Sequence, residues 1–273
     1  MSWVEIFDGR VNWLGLDGSP GESVEVGRRV GAAVPALDGS LVLATDEGFA
    51  HLDEDDTYTL LAPLSEDVAD WFSNDAKCDA RGRLWAGTVG VNEDGLAAKG
   101  AGALYCLETD GHVRRVLDGV SLSNGMDWSP DGETFYYVDS RSGGIDSFAF
   151  DVETGSLGAR RRIVELGFAP EVGFVDGLCV DTDGAIWAAV WGLGEVRRYT
   201  PAGELDGIVG VPVTQPTSCV FAGEALDVLV ITSARRGIAA VEIERQPHAG
   251  SVFCCTPGAT GLPPSPCRVA VSS

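Results

Sequence analysis

The amino-acid sequence predicts an all-β protein, a six-bladed β-propeller formed by a single domain over residues 1–273. Three observations predict this fold. A unit of two strand-like segments recurs along the chain at the spacing of propeller blades. No segment has the periodicity of a convincing amphipathic helix of about 12 residues. The 36 glycines among 273 residues indicate many turns, as a protein of short strands requires.

Each unit begins with a turn followed by an apolar strand. Five segments share this pattern: LDGSLVLAT at 37–45, DARGRLWAGT at 79–88, SPDGETFYYVD at 129–139, DTDGAIWAAV at 181–190 and AGEALDVLVITSA at 222–234. The steps between equivalent positions are 43, 51, 51 and 42 residues, measured at Val42, Trp85, Tyr136, Trp187 and Leu229. This regularity predicts one blade for each copy.

The second half of each unit is a strand that begins at a glycine. Six segments fit this description: GRVNWLGLDG at 9–18, GFAHLD at 48–53, GALYCLETDG at 102–111, GIDSFAFDVETG at 144–155, GEVRRYTPAG at 194–203 and GSVFCCTPG at 250–258. Six second halves against five first halves predict six blades, of which the first lacks its N-terminal inner strand.

The N-terminal residues match the later part of a blade. Residues 3–6 are predicted to form a strand, Asp8-Gly9 a two-residue turn, and residues 10–14 the returning strand. If the chain begins at Met1, we expect an open or loosely closed propeller with an exposed strand edge, which favours association.

Composition limits the partners. The net charge of −22 argues against nucleic acid, which is held mainly by Lys and Arg, and favours cations or neutral small molecules. Much of that charge is also explained by surface solubility. Seven cysteines without a C-x-x-C motif indicate a reduced, cytoplasmic setting. No signal-peptide pattern or membrane-length apolar run is present, so we expect no membrane partner. We expect a monomer or weak oligomer with a small-molecule substrate.

Three polar stretches recur at one phase of the repeat. Asn74, Asn124 and Asp176 precede equivalent positions of the repeat by nearly the same number of residues. The distances are 11 residues to Trp85, 12 to Tyr136 and 11 to Trp187. Each pair, Asn-Asp, Asn-Gly or Asp-Gly, is by itself also typical of a simple turn. Their shared phase favours a common site on the propeller axis, where loops of one mouth converge. Amide and carboxylate oxygens suit Ca²⁺, Mg²⁺ or Mn²⁺, and Zn²⁺ also accepts them.

Other catalytic patterns are weak or missing. The chain has no G-x-S-x-G elbow, H-E-x-x-H motif or P-loop, and its three histidines are scattered. Residues 181–184 resemble part of an EF-hand loop, but the first carboxylate and the terminal Glu are missing, so a turn is predicted.

At these stretches the chain resembles the SMP-30/gluconolactonase/regucalcin-like family, six-bladed propellers that hydrolyse sugar lactones with one divalent metal. The matching segments are NDAKCDARGRLWAGT, GALYCLETDG, SNGMDWSPDGETFYYVDS, VDGLCVDTDGAIWAAVWG and QPTSCVFAGEALDVLVITSAR. The resemblance implies that Asn124 and Asp176 are metal ligands and that Asp176 is also the general base. It places Asn74 where the family contacts substrate or borders the metal.

The chain departs from the family pattern in two places. Phe72 stands where the family usually has an Arg that holds the sugar, so a substrate contacting Phe72 and Asn74 is expected to be less polar or differently oriented. The E-G-P-x-W motif that supplies the family's first ligand, a Glu, is not in this sequence. The resemblance then implies a metal site short of one carboxylate.

The leading hypothesis is a lactonase that opens a sugar lactone or related small cyclic ester, using water activated at one divalent metal, Ca²⁺, Zn²⁺, Mg²⁺ or Mn²⁺. A non-catalytic propeller that binds metal or a small molecule is the second. A propeller hydrolase for a less polar ester, such as an aryl ester or a phosphotriester, is the third.

Overall fold

A computed structural model describes residues 2–15, 19 and 21–270. Nearly all regular structure in this part of the chain is β-strand, gathered into six sheets. The six sheets confirm the predicted six-bladed β-propeller fold. The chain divides into two compact units, residues 1–123 with 264–273 and residues 124–263. That residues 1–273 act as a single domain stays a prediction.

The first unit contains three sheets. The first sheet has three strands, β1 Ser2–Glu5, β2 Arg10–Trp13 and β3 Ser23–Glu25. The second has four, β4 Val30–Pro35, β5 Leu41–Thr45, β6 Gly48–Leu52 and β7 Tyr58–Pro63. The third also has four, β8 Asp70–Cys78, β9 Leu84–Val91, β10 Gly102–Leu107 and β11 Val113–Val120. The strands of each sheet pair antiparallel in chain order.

Three sheets also form the second unit, whose first strand begins one residue before it. The strands of the fourth sheet are β12 Ser123–Trp128, β13 Thr134–Asp139, β14 Gly144–Asp151, β15 Ser156–Leu157 and β16 Arg161–Glu165. Those of the fifth are β17 Phe174–Val180, β18 Ile186–Trp191, β19 Glu195–Tyr199 and β20 Leu205–Gly210. Those of the sixth are β21 Pro216–Ala222, β22 Val228–Ser233 and β23 Phe253–Cys255.

Helical structure among the described residues is limited to two short pieces. A 3₁₀ turn covers Ser140–Ser142 and an α-helix, α1, covers Ala240–Ile243. No helix in the described ranges has the length and hydropathy needed to cross a membrane.

The core of each unit lies between neighbouring sheets. In the first unit, Val42, Phe49 and Leu84 belong to one apolar cluster formed by the second and third sheets. In the second unit, Tyr136, Val175 and Ile186 belong to a cluster formed by the fourth and fifth sheets. Both faces of these strands are covered, and this explains why the segments read as continuous apolar runs.

The segments predicted as first halves of the repeat are the second strands of their sheets, β5, β9, β13, β18 and β22. The polar stretches ahead of them supply the first, inner strands β8, β12 and β17. The first sheet has three described strands with β1 at its edge, as the count of half-repeats predicts.

The first hairpin differs from its prediction. Its loop has four residues, Ile6 to Gly9, instead of two, because Glu5 pairs with Arg10 and the Gly9 N–H donates to the Ile6 carbonyl. Gly9 has a φ of +62°, the left-handed conformation that closes this longer turn.

Candidate metal and substrate site

The three polar positions predicted from the repeat lie inside strands. Asn74 is in β8, Asn124 is the second residue of β12 and Asp176 is the third residue of β17. The interpretation of these pairs as turns is therefore wrong. Each residue belongs to the inner strand of a separate sheet.

A β-bulge re-aims the polar residue in two of these strands. The pairing register shifts between Ser73 and Asp75 in β8, which leaves Asn74 as the extra residue. It shifts again between Val175 and Leu178 in β17, which leaves Asp176 and Gly177 out of register. Bulges disrupt the ladder locally and turn a side chain away from the regular pleat, and they are frequent beside functional sites.

The same irregularity recurs in two more inner strands. The register shifts between Val30 and Ala32 in β4 and between Pro216 and Ser218 in β21. The residue at the second of these bulges is Thr217, whose hydroxyl lies 2.8 Å from the Thr232 hydroxyl. Thr217 is a further candidate for the site that the sequence analysis missed, because a lone Thr in an apolar strand gives no signal without the register.

Glycines beside the polar residues allow neighbouring inner strands to approach closely. A Cβ placed on Gly125 would lie 2.4 Å from the Leu178 nitrogen and 2.8 Å from the Asp176 carbonyl oxygen. A Cβ on Gly177 would lie 2.2 Å from the Ser218 hydroxyl. The Asn-Gly and Asp-Gly pairs thus need glycine for backbone proximity between strands, and neither glycine has a positive φ.

A buried serine links Asn124 to the residue directly ahead of Asp176. The Asn124 side-chain amide donates to Ser140 Oγ over 2.8 Å. Ser140 in turn donates to the Val175 carbonyl over 2.6 Å, directly ahead of Asp176. Ser140 is fully buried. This chain of bonds fixes the rotation of the Asn124 amide, so that its Oδ1 is directed away from Ser140.

Asp127, two residues after the glycine of β12, has a structural role. Its Oδ2 accepts the Val180 N–H over 2.8 Å and its Oδ1 accepts the Trp128 N–H over 2.9 Å. The side chain is buried. The Asp127 carboxylate therefore holds β12 against β17 inside the unit. Asp176, in contrast, lies at the bulge of β17.

The predicted substrate residues lie in the first unit. Asn74 donates its side-chain N–H to the Ser123 carbonyl over 2.7 Å. Phe72 is buried, with the Phe7 ring edge-on at 5.4 Å and the Arg29 guanidinium 5.3 Å from its ring centre. A guanidinium thus reaches position 72 from the connection between β3 and β4, although its charge is paired with two carboxylates, Asp46 and Asp70. A substrate contact by Phe72 or Asn74 stays a prediction.

Two buried polar atoms next to the bulged residues have no hydrogen-bond partner among the described residues. They are Ser73 Oγ, which precedes Asn74, and Gln215 Oε1, two residues before Thr217. Buried polar groups nearly always have a hydrogen-bond partner in folded proteins, and exceptions are expected mainly at functional or strained sites. Each of these atoms thus belongs to a residue within two positions of a bulge in its own unit.

The donors of the second unit suit a hard divalent cation in chemical type. Asn124 offers an amide oxygen held in one orientation, and Asp176 offers a carboxylate on the adjacent inner strand. Within the described ranges, no three His, Cys, Asp or Glu side chains form a group that could hold a metal ion. A cation here would therefore rely on amide, carbonyl or water oxygens beside the Asp176 carboxylate.

Comparisons with known proteins extend over most of the chain. A sequence profile for the SMP-30/gluconolactonase/LRE-like region matches residues 1–235. Regucalcin from Sus scrofa is 37% identical over 232 residues, which cover 84% of this chain and 77% of that protein. A crystal structure of a calcium-binding protein, regucalcin, from Agrobacterium tumefaciens has a TM-score of 0.90 at 28% identity, covering 98% of this chain and 89% of that one.

A gluconolactonase from Xanthomonas campestris shares the fold at greater distance. Its structure has a TM-score of 0.67 at 22% identity and covers 85% of this chain and 78% of that one. At this identity the likeness concerns the fold alone.

Proposed function

This chain belongs to the SMP-30/gluconolactonase/LRE-like family, and from that premise we propose that it is a metal-dependent hydrolase that opens a sugar lactone or related small cyclic ester. The observation that supports this function is the bonded series from Asn124 through Ser140 to the Val175 carbonyl, which ties the Asn124 side chain to the strand directly ahead of Asp176. Hard oxygen donors held rigidly on two strands are what a divalent cation requires.

The proposed chemistry assigns each step to a residue of this chain. Asn124 and Asp176 would hold the cation, which when bound polarises the lactone carbonyl. Asp176 accepts a proton from the water whose oxygen attacks the carbonyl carbon. The ring C–O bond then breaks, and the proton passes from Asp176 to the released alkoxide. The product is one open-chain hydroxy acid.

Two features of β17 support the assignment of Asp176 as the base. Its backbone is part of a bulge, so its carboxylate is not constrained by the regular pairing of β17 with β18. Val175 beside it is fully buried and bonded to Ser140, and this fixes the strand immediately ahead of the carboxylate. Positioning by packed neighbours of this kind keeps a catalytic group within reach of its substrate.

Asp176→Asn tests the base directly. The purified protein is assayed for acid release from a panel of aldonolactones with Ca²⁺, Mn²⁺ or Zn²⁺. We expect the substitution to lower kcat by roughly 100-fold or more, as loss of a general base does. Asp183→Asn is the matched control, because Asp183 lies in an exposed turn of the same unit. Equal activity of the Asp176 and Asp183 variants would contradict the assigned role.

A non-catalytic metal- or ligand-binding propeller is the second candidate. The observation that favours it is that Asp176 is the one carboxylate among the proposed ligands. No group of three or more His, Cys, Asp or Glu that could hold a metal ion is present among the described residues. Calorimetry separates the two candidates. Cation binding that Asn124→Ala abolishes, without hydrolysis of any lactone, would select the binding protein.

A further inference from the structure

Three aromatic side chains of the second unit form a continuous stack beside Asp176. The rings of Phe174 and Trp191 have centroids 4.7 Å apart and planes inclined by 17°. Phe168 lies against Phe174 with centroids 5.0 Å apart and an inclination of 30°. Phe168 is 43% exposed and the other two are half-buried. The aromatic stack, Phe168, Phe174 and Trp191, therefore presents ring surface outside the core.

The fold holds the aromatic stack in place. Phe174 and Trp191 face each other as cross-strand partners in β17 and β18. The residue after Trp191 donates its backbone N–H to the Thr214 carbonyl over 2.8 Å, which fixes the end of β18. The Arg141 guanidinium lies 5.5 Å from the centre of the Phe168 ring and covers that end of the stack. A prearranged aromatic surface binds a ligand without a large ordering cost.

The stack is close to the proposed reaction centre along one strand. Phe174 is two residues ahead of Asp176, a separation of about 7 Å in extended chain. Val175, between them, is fully buried in the core cluster, whereas Phe174 and Asp176 are both half-buried. Phe174 and Asp176 therefore both keep accessible surface within two residues of each other on β17, where the strand enters the bulge.

We propose that the aromatic stack binds a planar apolar substituent on the cyclic ester, which makes an aryl-substituted lactone the preferred substrate class; this rests on the proposed function. A ring attached to a lactone at Asp176 spans the distance to Phe174. The stack offers dispersion and ring contacts but only one hydrogen-bond donor, the Trp191 indole N–H. A sugar hydroxyl array would find few partners on it. The net charge of −22 further favours a neutral ligand over an anion.

A pair of substrates measures this preference. The probes are a butyrolactone with a phenyl substituent and the same lactone with a methyl substituent. The ratio of their kcat/KM values is determined for the unaltered protein and for Phe168→Ala, Trp191→Ala and Trp191→Phe. We expect the ratio to favour the phenyl compound and to fall roughly fivefold to tenfold in both alanine variants. Trp191→Phe keeps a ring in the stack and should retain most of the preference.

Ile208→Ala is the control. Ile208 is 53% exposed on β20, at the edge of the same sheet opposite β17, so its removal deletes a similar apolar surface far from Asp176 along the sheet. Its ratio should equal that of the unaltered protein. A ratio that does not favour the phenyl compound, or that is insensitive to both alanine substitutions, would overturn the inference.

Binding without turnover separates this inference from the proposed function. The phenyl-substituted lactam has the same ring and resists hydrolysis, and its affinity is measured by calorimetry. Binding that weakens in Phe168→Ala and Trp191→Ala, without hydrolysis of either butyrolactone or of any aldonolactone, would retain the aromatic subsite and reject the lactonase. Light scattering adds a second check: a dimer that the same substitutions dissociate, with no lactam binding, would assign the stack to a second copy of this chain and overturn the inference.

Discussion

The close approach of β12 to β17 can be tested by adding a single methyl group at Gly125. Gly125→Ala would place a Cβ 2.4 Å from the Leu178 nitrogen, and both the nitrogen and the nearby Asp176 carbonyl are backbone atoms that no rotamer change can move. The strands must separate by about 1 Å to reach the 3.4 Å of ordinary contact. Overpacking of this kind destabilises by about 1 to 3 kcal/mol.

A separation of β12 from β17 also disturbs the Ser140 bond to Val175, since Ser140 is bonded to Asn124 of β12. Losing most of one buried hydrogen bond adds about 1 kcal/mol. We therefore expect the free energy of unfolding to fall by about 3 kcal/mol. With a urea m-value of about 3 kcal/mol/M, the midpoint of unfolding drops by about 1 M.

Gly210→Ala is the control for this experiment. Gly210 ends β20 of the same unit, its φ is not positive, and a Cβ there would have nothing within 4 Å. Alanine at this position should change stability by less than about 0.5 kcal/mol or raise it slightly. Urea unfolding followed by tryptophan fluorescence and by circular dichroism compares the two variants. Equal midpoints would refute the requirement for glycine between these strands.

Three further predictions follow from buried polar groups. Ser140→Ala should lower the free energy of unfolding by about 2 to 4 kcal/mol and weaken cation binding in calorimetry, because it removes two buried hydrogen bonds, one from the Asn124 amide and one to the Val175 carbonyl. Ser147→Ala, which loses a hydrogen bond of 3.5 Å, should cost about 1 kcal/mol or less. Asp181→Asn should lower the free energy of unfolding in urea by about 3 kcal/mol, since this fully buried carboxylate accepts hydrogen bonds from Trp187 and Arg198. A similar loss in the exposed Asp183→Asn variant would contradict the role of burial. Burial, followed by the Glu66 charge, raises the pKa of Tyr105 to about 12. The contribution of this raised pKa to stability is therefore complete below about pH 10 and is lost as pH rises through about 12. The phenol absorbance that Tyr105→Phe removes should titrate in that range, and a midpoint near 10 would refute the shift.

Much of the fold could be predicted from local sequence. The five turn-and-strand segments are strands because β-branched and aromatic runs between glycine turns have few other stable conformations. Their near-constant spacing gave the number of sheets, since each copy must bury its faces on the next. The first hairpin shows the limit of this reasoning: Asp8-Gly9 has the sequence of a two-residue turn, but the Gly9 N–H bonds to Ile6 and the loop has four residues.

The candidate site was only half predictable. Asn74, Asn124 and Asp176 could be found because their phase in the repeat is visible in the chain. Ser140 could not, since it is 16 residues from Asn124 and 35 from Val175, and only folding brings the three together. Phe168 and Trp191 could not be found either. In the sequence each is an ordinary apolar residue, and only folding brings both against Phe174.

The sequence by itself determined the all-β class, the six repeated units and the positions of the polar residues that we propose as oxygen ligands. These properties depend on patterns of neighbours along the chain, which the amino-acid order states directly. The tertiary structure decided that Asn124-Gly125 and Asp176-Gly177 lie in strands. Their glycines leave room for a neighbouring sheet, which a Cβ at either position would meet, and this need cannot be seen in the sequence. The tertiary structure also decided that Asp176 stands in a bulge, because strand register exists only between two paired strands.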